Sequence, residues 1–108
     1  MKRGEIYYIV PPRAFGKERP ALVVQSTLFL ENAPSVTFCL LTGSVQFINP
    51  VRILLKPTKG NGLDVPSLIQ IDKPITVEAD RIRNRTGAIT PTQLATVDAA
   101  LKLWLGLS

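Results

Sequence analysis

The chain has 108 residues, 45% of them hydrophobic, and a formal net charge of +5. It contains no histidine and a single cysteine, which excludes an intramolecular disulfide, a thiolate or imidazole metal site, and every Ser-His or Cys-His nucleophilic pair. Any chemistry must therefore rest on Arg, Lys, Asp, Glu, Ser, Thr or Tyr, and the basic balance favours an anionic partner, RNA or DNA ahead of a membrane surface.

The length fits one domain over residues 1–108, with enough apolar residues for a core that needs no covalent staples. Met1-Lys2-Arg3 runs into Gly4-Glu5 instead of an apolar stretch, and no apolar run approaches the length of a membrane span. The expectation is a cytoplasmic protein without membrane association. The first predicted strand is Glu5–Val10. Pro11-Pro12 then opens a loop that ends in Gly16-Lys17-Glu18-Arg19, and Pro20 stiffens the entry to a second, apolar strand at Ala21–Gln25. A short helical turn fits within Ser26–Asn32. Val36–Leu41 and Val51–Leu55 are rich in β-branched and aromatic residues and read as further strands. Cys39 lies inside the first of these as a small core residue. Asn49-Pro50, Pro57 and Gly60-Asn61-Gly62 are turn signals. Ser67–Ile71 is another apolar strand, and Arg85–Ile89 the last.

The C-terminus changes period. Thr90-Pro91-Thr92-Gln93 forms a capping box with proline at the first helical position. Leu94, Val97, Leu101 and Trp104 then recur at helical spacing as one apolar, core-facing stripe, and Gly106 is placed to end the helix. Several short strands and one terminal helix predict a mainly β, α+β chain. The architecture expected is a compact, partly open barrel with the helix packed on it.

Three strand ends carry polar groups where side chains are both held and exposed: Lys17-Glu18-Arg19-Pro20, Leu41-Thr42-Gly43-Ser44 and Gln70-Ile71-Asp72-Lys73-Pro74. An arginine at a rigid strand mouth is suited to gripping a phosphate. Thr42 and Ser44 equally fit a turn after the strand, and Asp72 a turn before Lys73-Pro74. In extended form Arg81, Arg83 and Arg85 make one basic ridge, either an RNA backbone track or a solvated edge that discourages strand pairing. Phe15 and Phe47 lie in loops, where they either stack on bases or plug the edge of the core.

Taken in order, these segments resemble the MazF/PemK family of toxin endoribonucleases. The resemblance runs nearly end to end: Arg3-Gly4-Glu5-Ile6-Tyr7, Arg19-Pro20-Ala21-Leu22-Val23-Val24-Gln25-Ser26, Leu41-Thr42-Gly43-Ser44, Asn61-Gly62-Leu63 with Ser67 and Gln70-Ile71-Asp72, then Gly87 and the closing helix. It implies an SH3-like barrel, a homodimer, and cleavage of single-stranded RNA with no metal or other cofactor. The 2′-hydroxyl would act as nucleophile, leaving a 2′,3′-cyclic phosphate and a 5′-hydroxyl. By the same resemblance Arg19 contacts the phosphate, Thr42 hydrogen-bonds a non-bridging oxygen, and Glu18 is the candidate proton acceptor. Lys17, Ser44, Gln70, Asp72, Arg81, Arg83 and Arg85 are the candidate RNA-binding residues, with Arg13, Lys17, Arg19 and Arg52 giving the groove its charge. Pro11–Glu18 and Val45–Asn49 are the candidate specificity loops. An acidic, partly disordered antitoxin segment is the implied protein partner. The chain departs from the family pattern at three points: the only glutamate in its short first loop is Glu18, adjacent to Arg19, Gln70 stands where some members carry arginine, and the first loop has no histidine. A CcdB-like gyrase poison and an SH3-like protein-binding module are the alternative functions.

Overall fold

The computed structural model describes residues 1–46 and 49–108. Its strands are β1 (Glu5–Ile9), β2 (Arg19–Val23), β3 (Ser35–Thr42), β4 (Ile53–Leu55), β5 (Ser67–Glu78) and β6 (Ile82–Ala88), followed by helix α1 (Pro91–Leu105). They form one six-stranded sheet in the order β4-β5-β3-β2-β1-β6. Every pairing is antiparallel. A 3-10 turn at Thr27–Phe29 is the short helical turn expected between β2 and β3.

Strand period divides the core in two, because successive side chains leave opposite faces of a pleated strand. On β3, Cys39 and Leu41 point to a cluster with Ile6, Leu22, Leu55, Ile69, Ile71 and Val97. Val36 and Phe38 point the other way, to a cluster with Ile9, Ala21, Val23, Leu30 and Val77. The helix covers the first face. Thr90 Oγ1 accepts from Gln93 N at 3.1 Å while Gln93 Oε1 accepts from Thr90 N at 2.9 Å, so the predicted capping box is formed in both directions. Val97 is fully buried, and Leu94, Ala100 and Leu101 pack around it. Trp104 departs from the expected stripe: it is 48% exposed, with Leu103, Leu105 and Leu107 also exposed. The contacts of α1 with the first core are made by its earlier turns, and the last turn runs beyond them.

Several strand boundaries differ from the sequence reading: β4 begins at Ile53 and not Val51, β6 at Ile82 and not Arg85, β2 ends at Val23 and not Gln25, and two further differences fall at prolines. β2 starts at Arg19, with Pro20 opposite Tyr8 of β1, while pairing with β3 begins only at Ala21. A proline is tolerated at such a strand start. β5 does not stop at Ile71 but continues through Pro74 to Glu78. Pro74 lies opposite Cys39 at a register shift, where its missing N–H need not break a regular ladder. Asp72 is therefore a strand residue and not a turn residue.

The sheet remains open between its edge strands, β4 and β6, and a loop bridges the gap. Thr86 Oγ1 donates to Asn61 O at 3.0 Å, and Ala88 N to Gly60 O at 2.9 Å. Asn61, only 2% exposed, shapes this loop by donating to Lys56 O and accepting from the N–H groups of Thr58 and Leu63. The approach is close enough to demand glycine: a Cβ on Gly87 would stand 2.1 Å from Gly60 O. Gly62, at φ +67°, would place one 2.2 Å from Thr86 O.

Candidate active site

The polar strand ends meet on the sheet face opposite the helix. Leu22 pairs with Cys39 and Ala21 with Leu40, where the β2–β3 pairing ends. Arg19 and Thr42 lie just beyond that last pair, and the two groups that sequence reasoning singled out line the same cleft. On the other side of β3, Leu41 pairs with Ile69 and Thr42 with Leu68, which sets Gln70 on the face that carries Leu40 and Thr42. Arg19, Thr42, Ser44 and Gln70 line one cleft of about 430 Å³, with Pro11, Pro12, Arg13 and Ala14 from the β1–β2 loop as its other wall. Its volume falls in the range of small-ligand sites.

A second cleft, about 270 Å³, shares Arg19 and Leu41 with the first and adds Tyr8, Gly43, Asp64, Val65 and Ser67. Arg19 thus forms part of the wall between two recesses. Its side chain is solvent-exposed, and it has no hydrogen bond or ion pair among the described residues. Its guanidinium therefore presents its full set of donors outward. Thr42 Oγ1 accepts from Ser44 N at 3.2 Å. That bond makes the turn anticipated from the hydroxyl pair and occupies one acceptor site, leaving the O–H proton free to donate.

Other expected residues lie elsewhere. Lys17 and Glu18 are exposed in the loop before β2 and line neither cleft. Asp72 is held by Arg52: Nε donates to Oδ1 at 2.9 Å and Nη2 to Oδ2 at 3.2 Å, with side-chain exposures of 6% for Arg52 and 10% for Asp72. The hydrogen bond from Arg52 holds the Asp72 carboxyl below its ordinary pKa against the opposing effect of burial. Arg52, expected to add charge to the groove, is thus engaged with Asp72 and does not line the cleft. The proposed ridge is divided. Arg81 sits in a 3-10 turn and donates to Val10 O. Arg83 donates to Asp80 O, and Arg85 pairs with Glu5 on β1. Burial raises the Glu5 carboxyl, but bonds from Arg85 and the Lys2 N–H outweigh it and leave a net lowering. Cys39 is fully buried, and burial, with the nearby Asp72 charge, pushes its thiol up to about 12, as a core residue requires and a nucleophile does not. Phe15 is fully exposed at the loop tip, while Phe47 lies outside the described residues.

Sequence reasoning missed Asp64, the one carboxylate that lines either cleft. It lies in the stretch read only as a turn region before β5, and no periodic signal connects it to Arg19; the loop that bridges the open sheet brings it there. Among the described residues no three Asp, Glu or Cys side chains converge as a metal site would require.

The family model for PemK-like, MazF-like toxins of type II toxin–antitoxin systems matches residues 2–105. The chain belongs to this family. It is 36% identical to a probable endoribonuclease MazF of Mycolicibacterium smegmatis, over 100% of this chain and 99% of that protein. Endoribonuclease MazF9 of Mycobacterium tuberculosis is 30% identical, over 99% of this chain and 98% of its own. Solved structures share the fold at lower identity. The Mycobacterium tuberculosis toxin MazF-mt6 superposes with a TM-score of 0.83 at 18% identity, covering 96% of this chain and 98% of its own. A MazE-MazF crystal structure from Deinococcus radiodurans gives 0.80 at 20% identity, covering 100% and 97%. The expected α+β, SH3-like, partly open architecture is therefore a MazF fold: an open six-stranded sheet with a C-terminal helix.

Proposed function

We propose that this MazF-family protein is an endoribonuclease toxin that cleaves single-stranded RNA at the wall carrying Arg19 and Thr42. The observation that carries the reading is a guanidinium without a partner among the described residues, shared by two clefts, with the free hydroxyl proton of Thr42 in one of them. Positive charge and hydrogen-bond donors held on rigid strands suit the dianionic phosphorane of phosphodiester cleavage. The 2′-oxygen attacks phosphorus, the P–O5′ bond breaks, and the proton lost by the 2′-hydroxyl passes to a base while the 5′-oxygen gains one. The products are a 2′,3′-cyclic phosphate and a 5′-hydroxyl. Arg19 takes two phosphate oxygens with its fork, and Thr42 donates to one. Asp64 shares a cleft with Arg19 and is a better-placed proton acceptor than Glu18, which is exposed and lines neither cleft.

Two protein partners accompany this function: a second copy of the chain, and an antitoxin whose carboxylates compete with RNA phosphates for a surface of net charge +5. Solved relatives include an endoribonuclease bound to its cognate antitoxin from a mycobacterial species and MazE-MazF assemblies. The gyrase-poison and protein-module readings have no corresponding support in the family match. Incubation of the protein with 5′-labelled single-stranded RNA in EDTA tests the proposal. Fragments with cyclic-phosphate and 5′-hydroxyl ends are the expected result. Intact RNA, or fragments only when a divalent metal is restored, would refute it.

A further inference from the structure

Gln70 faces the cleft next to Thr42 and Arg19. Its amide oxygen is engaged from the side of the neighbouring β4: Arg52 Nη2 donates to Gln70 Oε1 at 3.4 Å while the same guanidinium is fixed by two bonds to Asp72. A guanidinium has donors and no acceptor, so the contact decides which way the amide is turned. Oε1 must face Arg52, and the NH2 group is left for the cleft. That NH2 group has no partner among the described residues. Donation by a charged group to the amide oxygen also polarises the amide and strengthens its N–H donors.

We infer that Gln70 is a specificity residue that selects a keto base, uracil or guanine, for the cleft beside the scissile phosphate, and that Arg52 and Asp72 are positioning residues that set this choice. An unrestrained glutamine is ambivalent. It presents an acceptor and a donor together, and its two-bond pairing with adenine uses both. With the oxygen turned away, Gln70 offers donors only. At the exocyclic corner, uracil O4 and guanine O6 are acceptors and match it. The amino groups of cytosine and adenine are donors there and oppose it. The buried ion pair thus has a use that its own stability does not supply, since such a pair is often no more stabilising than apolar residues of the same volume.

The inference rests on the endoribonuclease reading for where the base sits, so its test has a binding arm that needs no cleavage. Fluorescence anisotropy with short 2′-O-methyl oligouridine and oligocytidine, which cannot react, reads the preference directly. Wild-type protein is expected to bind the uridine strand about tenfold more tightly, the value of one matched hydrogen bond against one mismatched. Gln70→Leu should bring the two affinities within about twofold, since the discriminating bond is gone. The double variant Arg52→Met with Asp72→Leu keeps Gln70 but frees its amide, and should narrow the ratio likewise. Thermal melting reports whether that variant folds, and Gln70→Leu decides the matter if it does not. In the cleavage arm, sequencing of RNA ends should show one position beside the cut restricted to U or G, which Gln70→Leu relaxes while other positions stay fixed. Equal wild-type affinities, or a ratio unchanged in Gln70→Leu, would overturn the inference. RNA left uncut by wild type would instead refute the endoribonuclease reading, and the affinity ratio would still judge Gln70.

Discussion

Arg19→Ala separates catalysis from folding more cleanly than any other change in this protein. The side chain is exposed and bonded to nothing among the described residues, while its backbone pairs with Ile9 of β1. Truncation removes no buried area and no partner, so the expected loss of stability is within about 0.5 kcal/mol. On the proposed mechanism the same side chain meets two oxygens of a transition-state phosphorane that carries more charge than the ground-state diester. Removing one preorganised donor of this kind costs about 3 kcal/mol, which corresponds to roughly a 150-fold slower chemical step. Arg19→Lys keeps the charge and loses the planar fork; it should recover part of the rate and remain about tenfold below wild type. The assay is single-turnover cleavage of 5′-labelled RNA at saturating protein and constant ionic strength, so that the salt-dependent affinity does not enter the rate. Melting temperatures are measured on the same samples. A folded Arg19→Ala protein that cleaves at nearly the wild-type rate would refute the argument, and so would activity that falls only in step with melting temperature.

Thr42→Ala should slow cleavage about tenfold, with Thr42→Ser close to wild type, because only the hydroxyl both accepts from Ser44 N and donates to phosphate; melting temperature distinguishes this from loss of the turn alone. Gly87→Ala forces a Cβ to within 2.1 Å of Gly60 O and should destabilise the fold by about 2 kcal/mol or more, read by denaturant unfolding. Asp72 and Glu5 both have pKa values lowered from ordinary values of 3.8 and 4.5. Their contribution to stability is therefore complete above those values and is lost as pH falls through the lower folded ones. Melting temperature should hold steady down to about pH 5 and decline below about pH 4, and Asp72→Asn should flatten the decline. Cys39, buried with its thiol raised to about 12, should resist maleimide in the native state and react on unfolding; rapid native labelling would contradict the packing described.

Much of this arrangement was legible in the chain because its signals are local. The capping box at Thr90–Gln93 uses one turn of backbone, and it appears as read. The apolar run Val36–Leu41 appears as a strand with Cys39 in the core, as read, while the sorting of its side chains between the two faces comes from the structure. Prolines misled at two of the strand boundaries for a single reason: whether a missing N–H matters depends on the neighbouring strand, which local sequence does not specify. The same holds for charge. Arg52 and Asp72 are twenty residues apart and look like two free polar groups, yet sheet order places them across β4 and β5. Arg81, Arg83 and Arg85 alternate as a ridge should, but a register shift between β1 and β6 and three separate partners divide them. Asp64 was invisible because its position depends on the tertiary contact between the Gly60 loop and β6.

An endonuclease must hold its strand on both sides of the bond it breaks, and the two-cleft geometry is the reason for proposing Arg19 as the residue at the break. The two clefts share only Arg19 and Leu41. An RNA strand laid through both places one nucleotide by Gln70 and Arg13 and the next by Tyr8 and Asp64, with the linking phosphate over the dividing wall. Leu41 is nearly buried, at 4% exposure, and contributes shape without charge. The guanidinium is thus the only cation common to both recesses, and it stands where the phosphate must cross. Thr42, which lines the first cleft, is held by β3, which is paired on both sides, by β2 and β5. Neither group depends on the exposed loop residues Lys17 and Glu18. The β1–β2 loop can therefore vary in length and sequence, altering which bases fit against Pro11–Ala14, while the phosphate contacts stay fixed on the sheet. Under the proposed function that separation places recognition on the loop wall and chemistry on the sheet wall, and it makes Gln70, a sheet residue, a part of base selection that does not depend on the loop.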